Sequence, residues 1–176
     1  MINFEKNDSP FYKMNEMYCE QILHKFNEFD VEVNGYCNSF GYNFAIDFTS
    51  NNLHYTFSFQ KSQTTENGVI IPMDAHDYST TTLIISGLNK TDKLVIGKSL
   101  WKRYLMPKED CSNIPSPFFI KTNLKNANDG LIKKVVDIIN TYKIKYGELK
   151  NGNLKLKLNQ AITDPLSLIT VLDKLW

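Results

Sequence analysis

The alternation of apolar and polar side chains between residues 31 and 60 is the clearest pattern in the chain. Tyr42, Phe44, Ile46 and Phe48 alternate with Asn43, Ala45 and Asp47, and Leu53, Tyr55, Phe57 and Phe59 then alternate with His54, Thr56, Ser58 and Gln60. Successive side chains of a strand point to opposite faces, so a period of two predicts strands with one dry face and one wet face. A turn within Ser50, Asn51 and Asn52 joins them, since asparagine tolerates the left-handed backbone of a tight hairpin. An earlier strand over 30–36 completes a three-stranded meander, although Asn34 and Gly35 there also carry turn chemistry. Two registers keep the apolar faces aligned, one placing Asp47 opposite His54 and the other placing it opposite Thr56.

Helical spacing flanks the meander. Ser9 and Pro10 form a cap and first-turn signal, and Phe11, Met14, Met17, Tyr18, Ile22 and Phe26 then recur at three and four, predicting a helix to about residue 27 with His24 at its boundary. Over 61–79 the alternation fails, a long connection in which Val69, Ile70 and Ile71 either extend a strand or pin a loop. Residues 80–86 read as a strand closed by Gly87, and 93–96 as another. The stretch 98–107, KSLWKRYLMP, fits either a short helix capped by Ser99 or a further strand. A second loop over 108–117, stiffened by Pro115 and Pro117, leads to strand character at 118–122.

The last third repeats clear signals. Asn128 or Asp129 caps a helix carrying Leu131, Ile132, Val135, Ile138, Ile139 and Tyr142 on one face. Asn151 and Gly152 are the favoured pair for a two-residue hairpin turn, with Leu154, Leu156 and Leu158 alternating against lysines. Asp164 and Pro165 open a final helix that brings Leu168, Ile169, Val171, Leu172, Leu175 and Trp176 to the core.

These elements predict one α+β domain over 1–176: a single, largely antiparallel sheet of meander plus C-terminal hairpin, with N-terminal, middle and C-terminal helices packed on one face. In element order the chain resembles the secretion-chaperone-like fold, a helix, three strands, a helix, a hairpin and a helix, with an insertion of about fifty residues between 61 and 122. The resemblance is topological, carries no motif, and implies a binding protein rather than an enzyme.

Composition narrows the partners. A net charge of +1 supplies no global field toward nucleic acid or an anionic membrane. Arg103 is the lone arginine among 20 basic residues, a bias that an AT-rich genome produces, and it leaves one guanidinium for bidentate recognition of phosphate or guanine. Cys19, Cys37 and Cys111 are odd in number and form no CxxC pair, which points to reduced thiols and a cytoplasmic address. The first residues lack the apolar run of a signal peptide, and no segment approaches the roughly 20 apolar residues of a membrane span.

Two stretches carry candidate chemistry. Asp74, His76 and Asp77 place two carboxylates and an imidazole within four positions, a set that binds a divalent cation or moves a proton if His24, His54 or Glu109 joins it, and is otherwise a solvated loop. Residues 98–104, KSLWKRY, interleave Trp101 and Tyr104 with Lys98, Lys102 and Arg103. Either Trp101 and Leu105 pack inward while the cations face water, or the rings anchor a partner, as tryptophan, tyrosine and arginine do at interfaces, or they stack on a single strand of nucleic acid. HExxH, GxSxG, GxGxxG and the P-loop pattern are absent from the sequence, and no cofactor is implied. The expected function is a non-catalytic protein-binding module, chaperone-like or of the toxin-neutralising immunity kind, with Trp101, Lys102, Arg103 and Tyr104 as its interaction residues and room for a homodimer. The alternatives are a small metal-assisted or acid-base enzyme at Asp74, His76 and Asp77, and single-stranded nucleic-acid binding through Trp101 and Tyr104.

Overall fold

The computed structural model describes residues 1–62, 65–66, 69–70, 79–105, 114–123 and 129–173, with side chains described throughout except at 65–66, 69–70, 103 and 129–132. The chain is α+β. Its sheet has nine strands, in spatial order β1 (Ile2–Phe4), β2 (Val31–Asn38), β3 (Gly41–Ser50), β4 (Leu53–Ser62), β7 (Thr80–Ser86), β11 (Asn153–Leu158), β10 (Ile144–Lys150), β8 (Leu94–Lys98) and β9 (Phe118–Thr122). Every pairing is antiparallel except β1 with β2, which is parallel. A two-stranded ribbon of β5 (Thr65–Glu66) and β6 (Val69–Ile70) stands apart from it, so part of the stretch read as patternless is strand.

The meander forms as the alternation requires. Its second turn is two residues long, with Asn51 and Asn52 at φ of 51° and 62° and Ser50 paired with Leu53. The earlier strand runs straight through Asn34 and Gly35 rather than turning there. Gly35 lies opposite Phe44 at φ of 151°, and a Cβ on it would come within 2.4 Å of Asn43 O and Phe44 Cα. Glycine is present for that close approach and not for a turn.

Pairing carries one apolar row across the sheet: Ile46, Phe57, Leu83, Leu156 and Ile96 stand side by side through Gly147 and are all buried. Aromatic stacking thickens the meander end, with ring centroids of Phe44 and Phe59 4.8 Å apart and those of Phe48 and Tyr55 5.0 Å apart.

Helix α1 (Pro10–Lys25) begins at the expected cap, where Ser9 Oγ accepts from Phe11 N. Its buried stripe differs from the expected one: Tyr12, Asn15, Cys19, Ile22 and Phe26 are buried, while Met14 and Met17 face solvent. Ile22 and Phe26 face inward as expected, while the first half of the helix presents Tyr12, Asn15 and Cys19 instead; there Asn15 Nδ2 donates to Asn38 O at 2.9 Å, clamping the helix to the end of β2. A polar residue holds a core position, which apolar periodicity does not register. Phe26 packs against Phe48 and Phe57, and Tyr18 stacks on Tyr42 at 4.8 Å while its hydroxyl donates to Ile162 O.

Among the described residues the further helices are α2 (Leu100–Tyr104), α3 (Asp129–Tyr142) and α4 (Pro165–Leu172). Val135 and Ile138 of α3 and Leu172 of α4 line an apolar void with Leu94, Ile96, Leu154 and Leu156. The hairpin between β10 and β11 turns at Asn151 and Gly152, at φ of 53° and 77°, as their sequence demands. Asp164 caps α4 through Ser167 N and Ser167 Oγ. Leu175 and Trp176, expected to extend that helix, lie outside the described residues, as do the side chains of Leu131 and Ile132.

Candidate functional site

The stretch that read equally as helix or strand is the helix α2. β8 and β9 continue one rung past the sheet, where Ser99 N donates to Pro117 O at 3.0 Å, and Ser99 Oγ then accepts from Lys102 N at 3.2 Å. That serine ends a strand and caps a helix within one residue. The single helical turn closes with Leu105 N donating to Trp101 O.

Beneath it, β9 is covered on both faces, since Phe118, Phe119 and Ile120 are consecutive and all buried. Phe119 is paired with Gly97, and a Cβ at Gly97 would lie 2.8 Å from the Phe119 ring, so the glycine makes room for the ring to cross it. Lys102 Nζ stands 5.1 Å from the Phe119 ring centroid and Lys98 Nζ 5.0 Å from that of Phe118. A ring face attracts a cation through its quadrupole, so the two lysines are held over the rings of the strand.

The outward residues are apolar. Leu100, Trp101, Tyr104 and Leu105 are 68%, 80%, 85% and 78% exposed, and an open concavity of about 400 Å³ is lined by Leu100, Trp101 and Tyr104. An inward-packed Trp101 and Leu105 is therefore not what forms: among the described residues, Phe118, Phe119 and Ile120 already occupy both faces of β9 at this corner. Scattered apolar side chains on a surface are ordinary, but four large ones on one short helix form a patch. Sequence reading missed Leu100 as part of it. The unbroken Phe118-Phe119-Ile120 run was the available signal, since a strand without alternation is covered on both faces.

The other candidates separate. Asp74, His76 and Asp77, with Glu109 and Cys111, lie outside the described residues, as does the side chain of Arg103. Among the described residues no three His, Cys, Asp or Glu side chains are placed to hold a metal ion. The meander register sets Asp47 opposite Thr56 and not opposite His54. Thr56 donates its hydroxyl hydrogen to Asp47 Oδ1, and His54 Nε2 lies 3.7 Å from the same oxygen. A nucleophile-base pair needs the hydroxyl to donate to the imidazole; here the carboxylate accepts that hydrogen bond, so the group is a cross-strand polar cluster. His24 Nδ1 is engaged with Asn27 Nδ2 at 2.6 Å.

The two described cysteines face each other across α1 and β2, both fully buried. Burial raises the pKa of each thiol above its ordinary value, most strongly at Cys19, which disfavours the thiolate that nucleophilic chemistry needs. Among the described residues no helix is long and apolar enough to cross a membrane. No protein-family model, curated protein or solved structure matches this chain.

Proposed function

We propose that the protein is a non-catalytic binding module that captures another protein on the α2 surface, in the manner of a chaperone or a toxin-neutralising immunity protein. The observation that carries this reading is the outward presentation of Leu100, Trp101, Tyr104 and Leu105, the first three of which line the concavity. At those exposures the four side chains offer roughly 500–600 Å² of apolar surface, against the ~800 Å² that each partner of a standard interface buries. Trp101 and Tyr104 supply the large, stiff side chains that anchor such interfaces, and Ser99 and Pro117 hold the helix in place before the partner arrives. In this reading the whole chain acts as one domain. On the same reading α1, α3 and α4 gather on the dry face of the sheet, and of the described helices α2 is left for recognition. The paired buried thiols support a reducing, cytoplasmic setting.

The test couples two titrations. A partner co-purifying in stoichiometric amount is reconstituted from purified components with the wild-type chain and with a Trp101→Ala, Tyr104→Ala double variant; binding is expected for the first and at least a tenfold weaker Kd for the second. Oligothymidylate is titrated at low salt in parallel, with no change in tryptophan fluorescence expected. Equal partner affinity for both chains, or saturable quenching by the oligonucleotide, overturns the reading.

A further inference from the structure

We infer that Cys19 and Cys37 are a redox pair: an oxidant of the disulfide class joins them into a bond that staples α1 to β2, and a thiol reductant releases it. Both thiols are free and fully buried in this structure. Two contacts beside them set one over the other. One turn before Cys19 and on its face of the helix, Asn15 Nδ2 donates to the backbone oxygen of Asn38, the residue that follows Cys37. Immediately before Cys19, Tyr18 stacks at 4.8 Å on Tyr42, which is the register partner of Cys37 and shares its face of the sheet. The helix and the strand are thus tied to each other on either side of the two thiols. Burial raises the pKa of Cys19 and so, next, does the neighbouring Cys37 thiol, as two adjacent sulfurs require.

The step balances with one molecule of oxidant. One thiolate of the pair attacks a sulfur of the oxidant's disulfide, whose other half leaves as a thiol; the second thiolate then attacks the protein sulfur of that mixed disulfide and expels the remaining thiol. The protein gives up two hydrogens and two electrons, and the oxidant takes up both. Burial decides when this happens. In the folded chain the thiolates are disfavoured and enclosed, so closure belongs to folding, or to a lifting of α1 from β2, rather than to the finished fold. A chain that folds among thiol reductants keeps both thiols, as in the cytoplasmic setting proposed above. One that folds against an oxidant is stapled.

The bond would close residues 20–36 into a loop, the last turns of α1 and most of β2 with the link between them. Such a loop restricts the unfolded chain more than a fold that already holds the two sulfurs together, so the staple stabilises. α2 follows β8, near the opposite edge of the sheet from β2, and its surface is left as it is. The inference is therefore independent of what α2 binds.

Refolding in a defined redox buffer tests it. Reduced wild-type and Cys111→Ser chains, unfolded in guanidinium, are diluted into a mixture of oxidised and reduced glutathione or into reduced glutathione alone. From the oxidising buffer both chains should emerge lighter by two hydrogens, with Cys19 and Cys37 joined in the peptide map. Their urea midpoints should lie about 1 M above those of the reduced chains and return to the reduced values with dithiothreitol. Free thiols at both positions, glutathione held on either one, or a bond from either to Cys111 in the wild-type chain overturns the pairing. So does a Cys19–Cys37 bond that leaves the midpoint unchanged or lowers it, because the sulfurs would then meet only by distorting the fold.

Discussion

If α2 presents its rings for recognition, removing Trp101 must leave the fold unharmed while removing the ring beneath it must not. Trp101 is 80% exposed, so about a fifth of its surface is out of water. At ~25 cal/mol per Å² on roughly 50 Å² that burial is worth about 1 kcal/mol at most. Alanine returns about 0.5 kcal/mol through its better helix propensity. Trp101→Ala should therefore change stability by no more than about 0.5 kcal/mol. Phe119 is 8% exposed, crosses Gly97 and holds Lys102 over its ring. Phe119→Ala should cost about 3 kcal/mol, the low end for such a truncation because the ring sits at the last strand of the sheet. With a urea m-value of about 2 kcal/mol/M, the unfolding midpoint followed by far-UV circular dichroism should fall by about 1.5 M for Phe119→Ala and by less than about 0.3 M for Trp101→Ala. Equal losses in the two variants would mean that Trp101 is part of the core and would refute the argument for a free surface.

Other consequences follow from the fold. Gly35→Ala should destabilise by about 3 kcal/mol, because its Cβ would meet the backbone of Asn43 and Phe44 at 2.4 Å with φ already positive; urea denaturation reads it, and a loss under about 1 kcal/mol contradicts the close approach. The hydrogen bond from the Ser167 hydroxyl holds the Asp164 carboxyl below its ordinary pKa, so its contribution is complete above the unfolded value near ~3.9 and is lost as pH falls through the lower folded value. Asp164→Ala should thus cost about 1 kcal/mol near neutral pH, with the gap to wild type closing as pH falls below about 4, whereas Asp164→Asn, whose amide oxygen caps without titrating, should show no such pH-dependent gain. In a Cys111→Ser background, Cys19 and Cys37 should resist a disulfide reagent such as dithionitrobenzoate in the native chain and react fully in guanidinium, since both thiols are buried and their thiolates disfavoured. Labelling of the native chain within the mixing time would contradict that burial.

What the sequence made legible was local. The Asn51-Asn52 and Asn151-Gly152 turns and the alternation beside them specify two hairpins, because turn chemistry and period agree within a dozen residues. The order of the sheet is not local: β7 enters between β4 and β11, and β8 with β9 extends the sheet beyond β10, pairings that no short-range pattern encodes. β1 has three residues and offers too short a run to show a period. The face of α1 was misplaced over its first half, where Asn15, a polar residue, occupies a core position through its bond to Asn38, and was right at Ile22 and Phe26. At the candidate site the sequence supplied the residue types of 98–104 but not their direction. A tryptophan at helical spacing is the same whether it enters a core or leaves it, and what decides is the occupation of the interior by Phe118, Phe119 and Ile120.

The central claim is that position 101 touches a partner in the working protein. A photo-reactive benzoylphenylalanine placed there, and in a control chain at Asn43, which is exposed in β3 at the other end of the sheet, tests it inside the native host. The account predicts a discrete cross-linked band from position 101 that is absent from position 43 and is competed away by excess wild-type chain but not by the Trp101→Ala chain. Equal cross-linking at both positions, or none at 101, would contradict it.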